Sequence, residues 1–224
     1  MPRIKFSKKD NEKIKKAVIQ SEKNTSGEIA TAITKESYDY AVYELVFAII
    51  CGFIYFFIML FFVGAVETKL QSMFWDYSVH YLLIFYGFST FVIITIFYFL
   101  ANVAAIDRLI VPRKVMIKKV NERAVRHFMD SGVYKTRDRT GILIFISLFE
   151  RRVELLADTG ISAKIPEENW ENIVEGIISG IRKGKIIENL SKAILECGKM
   201  LSEHFPIGPD DANELEDNIE ILEK

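Results

Sequence analysis

The chain has 224 residues, half of them hydrophobic, and its 29 Lys and Arg residues nearly balance its 30 Asp and Glu residues. This balance argues against a whole-chain nucleic-acid binder, and the size and apolar content exclude a disordered protein, a coiled coil or a small disulfide-rich domain. The apolar excess is local, because residues 41–101 hold 12 of the 17 phenylalanines and 6 of the 9 tyrosines. The composition therefore predicts a globular domain anchored in a lipid bilayer.

The first 40 residues are predicted to begin the globular domain. Ser7 and Asp10 have the spacing of a helix cap, and the apolar residues that follow at helical spacing predict a helix over residues 7–23. Residues 28–34 alternate isoleucine and threonine with alanine, which is typical of a short strand with small side chains on one face. Residues 1–40 are therefore interpreted as the first part of a domain that later segments complete.

Two uncharged segments of 21 residues, Val46–Val66 and Tyr81–Ala101, are each long enough for a helix that crosses a bilayer core of about 30 Å. The 14 residues between them, Glu67–His80, are mostly polar or interfacial. A connection this short predicts an antiparallel transmembrane hairpin, which we place at residues 41–106.

The flanking charges predict the orientation of this hairpin. Five Lys or Arg residues follow the second segment within about 20 residues, whereas the connection contains Lys69 alone. The positive-inside rule therefore predicts that both termini lie in the cytoplasm. Ala48 and Gly52 form a small-x-x-x-small pair, which favours close helix approach and allows oligomerisation through the hairpin.

Charge is unevenly distributed after the hairpin. Residues 108–139 contain ten Lys or Arg and three acidic residues, a local charge of +7, whereas residues 206–224 contain seven acidic residues and one Lys, a local charge of −6. A basic stretch beside a membrane segment either attracts anionic lipid head groups or is a solvated helix face that fixes topology. Residues 206–224 are predicted to form an acidic, flexible tail.

Residues 107–205 are predicted to complete the globular domain. The helix and strand patterns indicate, in order, a helix from Pro112 to about Ser131, strands over 142–146 and 152–157, and helices over 166–181 and 185–204. Because a crossover connects the first strand to the second, these two strands are predicted to be parallel. The third strand is then predicted to pair antiparallel with the second. The predicted fold is a small α/β sandwich with a mixed sheet and a membrane hairpin inserted in its crossover.

Carboxylates supply the best candidate site. Asp138 precedes the first of the two later strands, Asp158 follows the second, and antiparallel pairing brings both toward one edge of the sheet. Glu167 and Glu168 follow shortly after. These groups either bind Ca²⁺ or Mg²⁺ as hard oxygen ligands or serve as ordinary turn and helix-start residues.

Other catalytic motifs are incomplete. The sequence has no nucleophile elbow, and its nearest approach to a phosphate-binding loop, residues 180–185, has the wrong spacing. His127 and His204 lie on different predicted helices without nearby paired ligands, so exposed or capping roles are expected.

Several segments resemble the TPM domain family. They are residues 6–9, residues 26–30, the stretch from Asp138 through Ser147, the stretch from Phe149 through Ile161, Trp170, and residues 201–206. The resemblance is closest to the bacterial branch with a membrane hairpin inside the domain, and it implies an α/β/α sandwich in a bacterial inner membrane. Family members have been linked to acid phosphatase activity, metal binding, photosystem maintenance and accessory roles with membrane receptors.

The chain departs from the family pattern at three places. Before the first helix, the usual Asp and Gly are absent from residues 3–6. Before the last helix, residues 184–186 read Gly-Lys-Ile in place of Gly-Asp-Tyr. The Asp-Asn-Gly turn is kept only in part at residues 138–141. Asp138 and Asp158 are the acidic positions that carry over. The sequence thus predicts a membrane-anchored accessory or scaffold protein that binds a membrane or cytoplasmic protein partner or a divalent ion. The alternative is a metal-assisted acid phosphatase acting on phosphomonoesters.

Overall fold

The computed structural model describes residues 7–209 and 211–223. These residues divide into two compact units, one formed by residues 39–112 and the other, the globular unit, by the described residues before 39 and after 112. The departure from the family pattern at residues 3–6 lies outside the described residues.

The secondary structure follows the predicted order with several additions. In chain order the elements are α1 (Lys8–Glu22), β1 (Glu28–Thr34), α2 (Ala41–Leu60), α3 (Val63–Met73), α4 (Val79–Ala101), α5 (Ala104–Ile110), α6 (Arg113–Asp130), a 3₁₀ turn (Val133–Lys135), β2 (Gly141–Ser147), β3 (Arg152–Ala157), α7 (Thr159–Ser162), α8 (Glu168–Lys183), α9 (Ile186–His204) and β4 (Glu220–Leu222).

The sheet has four strands in the order β3-β2-β1-β4. β1 and β2 are parallel and β3 is antiparallel to β2, as predicted. The sequence predicts no strand within residues 206–224, yet β4 lies there and pairs parallel to β1, with Ile221 opposite Ile33. The mixed sheet therefore takes strands from both ends of the chain.

Helices cover both faces of the sheet. Ile29 and Ile33 on one face of β1 join a core with buried residues of α1, α8 and α9, whereas Ala32 on the other face packs with Val120 and Ala124 of α6. All seven residues of β2 are buried, because helices cover this central strand on both sides. The globular unit is therefore an α/β/α sandwich, which confirms the predicted fold class.

Local signals fix the helix ends. The Ser7 main-chain N–H donates to Asp10 at 2.9 Å and the Asp10 N–H donates to Ser7 Oγ at 3.2 Å, a reciprocal cap that starts α1. Gly184 ends α8 with a φ of +68°, a conformation that favours glycine, and so permits the turn into α9.

In the other unit, α2 and α4 pack antiparallel. Phe47 contacts Phe97 and Phe56 contacts Tyr86, with ring centroids 6.2 and 6.1 Å apart. Gly52 lies against Ile94 so closely that an added Cβ would be 2.3 Å from its Cγ1. The small residue at position 52 therefore serves helix packing within one chain.

Both α2 and α4 are long and apolar enough to cross a membrane. Their bounds differ from the predicted segments, because α2 starts at Ala41 and ends at Leu60. The first half of the connection Glu67–His80 is helical, since α3 continues as far as Met73. Hydropathy alone did not separate α2 from α3, because the residues between them are phenylalanines.

Candidate functional site

Asp158 lies at the amino end of α7 and is almost fully buried. Its Oδ1 accepts hydrogen bonds from the Thr159 main-chain N–H at 2.6 Å and the Thr159 hydroxyl at 3.2 Å. Its Oδ2 lies 3.5 Å from Arg139 Nε and has no hydrogen bond within the described part of the chain. The carboxylate therefore caps a helix and forms an ion pair.

The loop of Asp138 lies beside the turn that begins with Asp158. The Gly160 N–H donates to the Arg139 carbonyl at 3.1 Å, and an added Cβ at Gly160 would lie 2.8 Å from the Asp138 carbonyl oxygen. Arg139 adopts a φ of +59°, and its side chain then reaches Asp158. The Asp138 carboxylate itself is more than half exposed and lies 3.8 Å from Arg137.

Glu167 and Glu168 lie at the exposed start of α8. The structure brings the Asp138 and Asp158 loops together but does not add these two glutamates to them. Among residues 7–209 and 211–223, no group of three or more His, Cys, Asp or Glu side chains is placed to hold a metal ion. A divalent-ion site at Asp138 and Asp158 stays a prediction.

A second group of carboxylates lies at the same end of the sheet. Glu28 begins β1 opposite Gly141, and its N–H donates to the Thr140 carbonyl at 3.1 Å. The buried Glu28 carboxylate accepts hydrogen bonds from the N–H groups of Glu214 and Leu215, both at 3.3 Å. Glu28 therefore fixes the chain that leads to β4.

Glu22 lies next to Glu28, at the end of α1. Its Oε1 accepts a hydrogen bond from the Ile29 N–H at 2.7 Å. Burial raises the pKa of Glu22 to about 8, and the negative charges of Glu28, Asp217 and Asp211 act in the same direction. Burial also raises the pKa of Glu28, aided by Glu214 and Asp211.

Residues 211–223, which we call the strap, lie along the outer edge of β1. The Arg137 N–H donates to Glu214 Oε2 at 2.9 Å. His127 Nε2 lies 3.3 Å from Glu220 Oε2, and the Arg123 guanidinium donates to the Glu223 carbonyl. Ile219 is buried in the core formed with α1 and α9. Polar contacts and an apolar anchor thus hold the strap in place.

Of the two roles expected for His127, exposed or capping, the structure excludes the exposed one. Its side chain is 11% exposed and contacts the ring of Phe145 as well as Glu220. Burial lowers the pKa of His127, although the charges of Glu220 and Asp130 oppose this effect. His204, in contrast, is exposed in the last turn of α9, as expected.

A cleft of about 630 Å³ lies under the strap. β1 contributes Ala30 and Thr31 to its wall, α6 contributes His127, and the strap contributes residues between Leu215 and Ile221. The Thr31 hydroxyl is buried and has no hydrogen-bond partner among the described residues. The strap therefore covers this cleft without filling it.

Comparisons with known proteins bear on the fold. The family model described as the TPM domain matches residues 103–200. The NMR structure of the BA42 protein from the psychrophilic bacterium Bizionia argentinensis is similar with a TM-score of 0.59, 18% identity, and coverage of 99% of this chain and 100% of that one. No curated protein sequence matches this chain significantly. The structural likeness, at this identity, concerns the fold alone.

Proposed function

We propose, from the match of residues 103–200 to the TPM domain, that this chain is a membrane-anchored accessory or scaffold protein whose globular unit binds a protein partner. The anchor is the pair α2 and α4, which expose large apolar side chains such as Phe53 and Phe91 along their length. By the positive-inside rule, both termini and the globular unit lie in the cytoplasm of a bacterium.

The observation that carries the proposal is the strap on the edge of β1. A chain segment held by charged contacts, with an unfilled cleft beneath it, marks a surface suited to binding a polypeptide. Asp158 caps α7 and pairs with Arg139. These contacts favour a binding role over a hydrolytic one.

Site-specific photocrosslinking in native membranes tests this proposal. A photoreactive residue is placed, one position at a time, at the exposed positions Lys9, Glu171 and Asn218 of the full chain. We expect a discrete, reproducible adduct with another protein from at least one position. If all three positions give only adducts with lipid or with the chain itself, the partner-binding proposal is wrong.

A metal-assisted acid phosphatase is the second candidate. The observation in its favour is Asp158 Oδ2, a buried carboxylate oxygen without a hydrogen bond in the described ranges. If Asp138 and Asp158 share a Ca²⁺ or Mg²⁺ ion, the cation should raise the melting temperature of the full chain, and Asp158→Asn should abolish this shift.

Hydrolysis is measured in the same samples with a chromogenic phosphomonoester. Our proposal expects equal background rates for the parent chain and Asp158→Asn, with either cation or with a chelator. A cation-dependent rate that Asp158→Asn removes would instead establish the phosphatase.

A further inference from the structure

We propose that the outer edge of β1 is a binding site for an acidic β-strand of a partner protein, and that the strap is a resident competitor for this site. This inference rests on the proposed partner-binding function and deepens it by naming the surface and the chemistry of the ligand. Addition of a strand to a sheet edge is a common mode of peptide recognition, in which main-chain hydrogen bonds supply affinity and side-chain pockets supply specificity.

The edge of β1 is only partly used by the strap. β2 pairs with all seven residues of β1, from Glu28 to Thr34, whereas β4 pairs only with Ala32, Ile33 and Thr34. A strand that continued toward the amino end of β1 would lie beside Ala30 and Thr31, where the cleft is found. The site is therefore longer than the strand that now occupies it.

The fit of the strap is incomplete as well. The cleft of about 630 Å³ is large enough for several side chains, and the buried Thr31 hydroxyl that helps to line it lacks a partner within the described segments. An unsatisfied buried hydroxyl and an unfilled space both weaken the bound state of the strap. A partner strand with a larger side chain here would bind more tightly.

Charge defines the ligand. The strap carries six acidic residues and no basic one, whereas α6 carries six Lys or Arg and two acidic residues. Contacts of Glu220 with His127 and of the Glu223 carbonyl with Arg123 lie at this boundary. An acidic residue at the position of Glu220 is therefore attracted to the basic face of α6. Glu22 and Glu28 instead repel acidic residues at the amino end of β1, so the acidic residue of the ligand belongs opposite Ala32.

Apolar anchors define the ligand further. Ile219 enters the core beside α1 and α9, and Leu222 packs against the cluster of Ala32 and Phe145 on the opposite face. The required pattern is an acidic residue between a buried apolar anchor, at the position of Ile219, and a partly buried one, at the position of Leu222. Since the strap is tethered to the same chain, it competes at an effective concentration in the millimolar range, and an external strand must exceed this.

The test uses a fluorescent peptide with the sequence of residues 209–223 and the full chain in detergent. The parent chain is compared with a full-length variant that carries Ile219→Ser and Leu222→Asp, which remove the two anchors of the strap. We expect the variant to bind the peptide at least tenfold more tightly, because its own strap no longer competes. A chain that ends at Gly208 serves as a second unmasked form.

Peptide variants test the chemistry of the site. Glu220→Lys in the peptide should weaken binding at least tenfold, and Asn218→Leu, which adds an apolar side chain next to the cleft, should strengthen it severalfold. Amide exchange of β2 confirms that each chain is folded. If folded, unmasked chains bind the peptide no better than the parent does, the inference is wrong.

Two further outcomes are decisive. If the parent chain is a dimer that the peptide dissociates, the occupant of the site is the strap of a second copy, which overturns the proposed partner. If crosslinking detects a partner at Lys9 or Glu171 while the peptide does not bind, the accessory function stands and the edge site fails.

Discussion

Substitution of Glu22 by glutamine should stabilise the globular unit at neutral pH. The glutamine carbonyl keeps the acceptor for the Ile29 N–H, which Glu22 Oε1 now provides at 2.7 Å. The change removes a titratable group that is partly buried beside the like charges of Glu28, Asp211 and Asp217. The only loss is the ability of this side chain to ionise.

The magnitude follows from the pKa of Glu22, which rises from an ordinary value of 4.5 to about 8 in the folded chain. The unfolded chain loses this proton first as the pH increases, so the free energy of unfolding falls between about pH 4.5 and pH 8. At pH 7 the cost reaches at most about 3 kcal/mol, at roughly 1.4 kcal/mol per pKa unit. With solvent relaxation, we expect glutamine to recover about 1–3 kcal/mol.

Fluorescence of Trp170 during urea unfolding measures this effect. Trp170 is buried in the globular unit, and Trp75→Phe removes the only other tryptophan, which is fully exposed. Free energies of unfolding of the full chain in detergent are compared at pH 5 and pH 8, with Glu12→Gln on the exposed face of α1 as a matched control. A Glu22→Gln effect that is equal at both pH values, or destabilising at pH 8, would refute the reasoning.

Three other predictions concern packing, topology and domain organisation. Gly198→Ala should destabilise the globular unit by about 1–3 kcal/mol, because the added Cβ would lie 2.3 Å from Ser21 Cβ. In the control Gly176→Ala the added Cβ meets no atom within 4 Å, so this variant should keep the stability of the parent chain. Urea titration measures the free energy of unfolding of both variants. A reporter inserted within residues 67–80 should read external and reporters at both termini cytoplasmic, and an external carboxyl terminus would contradict the orientation. Replacement of residues 39–112 by a flexible linker should give a soluble domain with a single cooperative unfolding transition. The cut ends are near each other, because Lys119 Nζ lies 4.5 Å from the ring centre of Tyr38. A domain that stays unfolded would show that the inserted unit is needed for folding.

Local patterns predicted the central part of the fold. The alternation in residues 28–34 and the apolar run after Gly141 match β1 and β2, because each strand is bounded by residues that end regular structure. The parallel direction of these two strands then follows from the crossover connection. Such signals are contained in a few consecutive residues.

The strap could not be predicted in the same way. β4 is three residues long and lies in an acidic segment, so its own residues carry little strand signal. It forms because it pairs with residues 32–34 of β1, which are far away in the sequence. The role of His127 likewise depends on Glu220 in that segment. One signal was present, since Glu28 is the only charged residue in the strand over 28–34, but its partners at 214 and 215 have no local pattern.

The insertion of a hairpin between β1 and β2 also has a consequence for the synthesis of this protein. β1 ends at Thr34 and β2 begins at Gly141, so 106 residues are translated between the first strand and its parallel neighbour. At about 5–20 residues per second, this interval is roughly 5–20 s. During that time β1 has neither of its neighbours in the sheet, β2 and β4, to pair with. Chaperones that protect nascent strands therefore have a defined period in which to act on this chain, and the period closes only when the ribosome has completed β2.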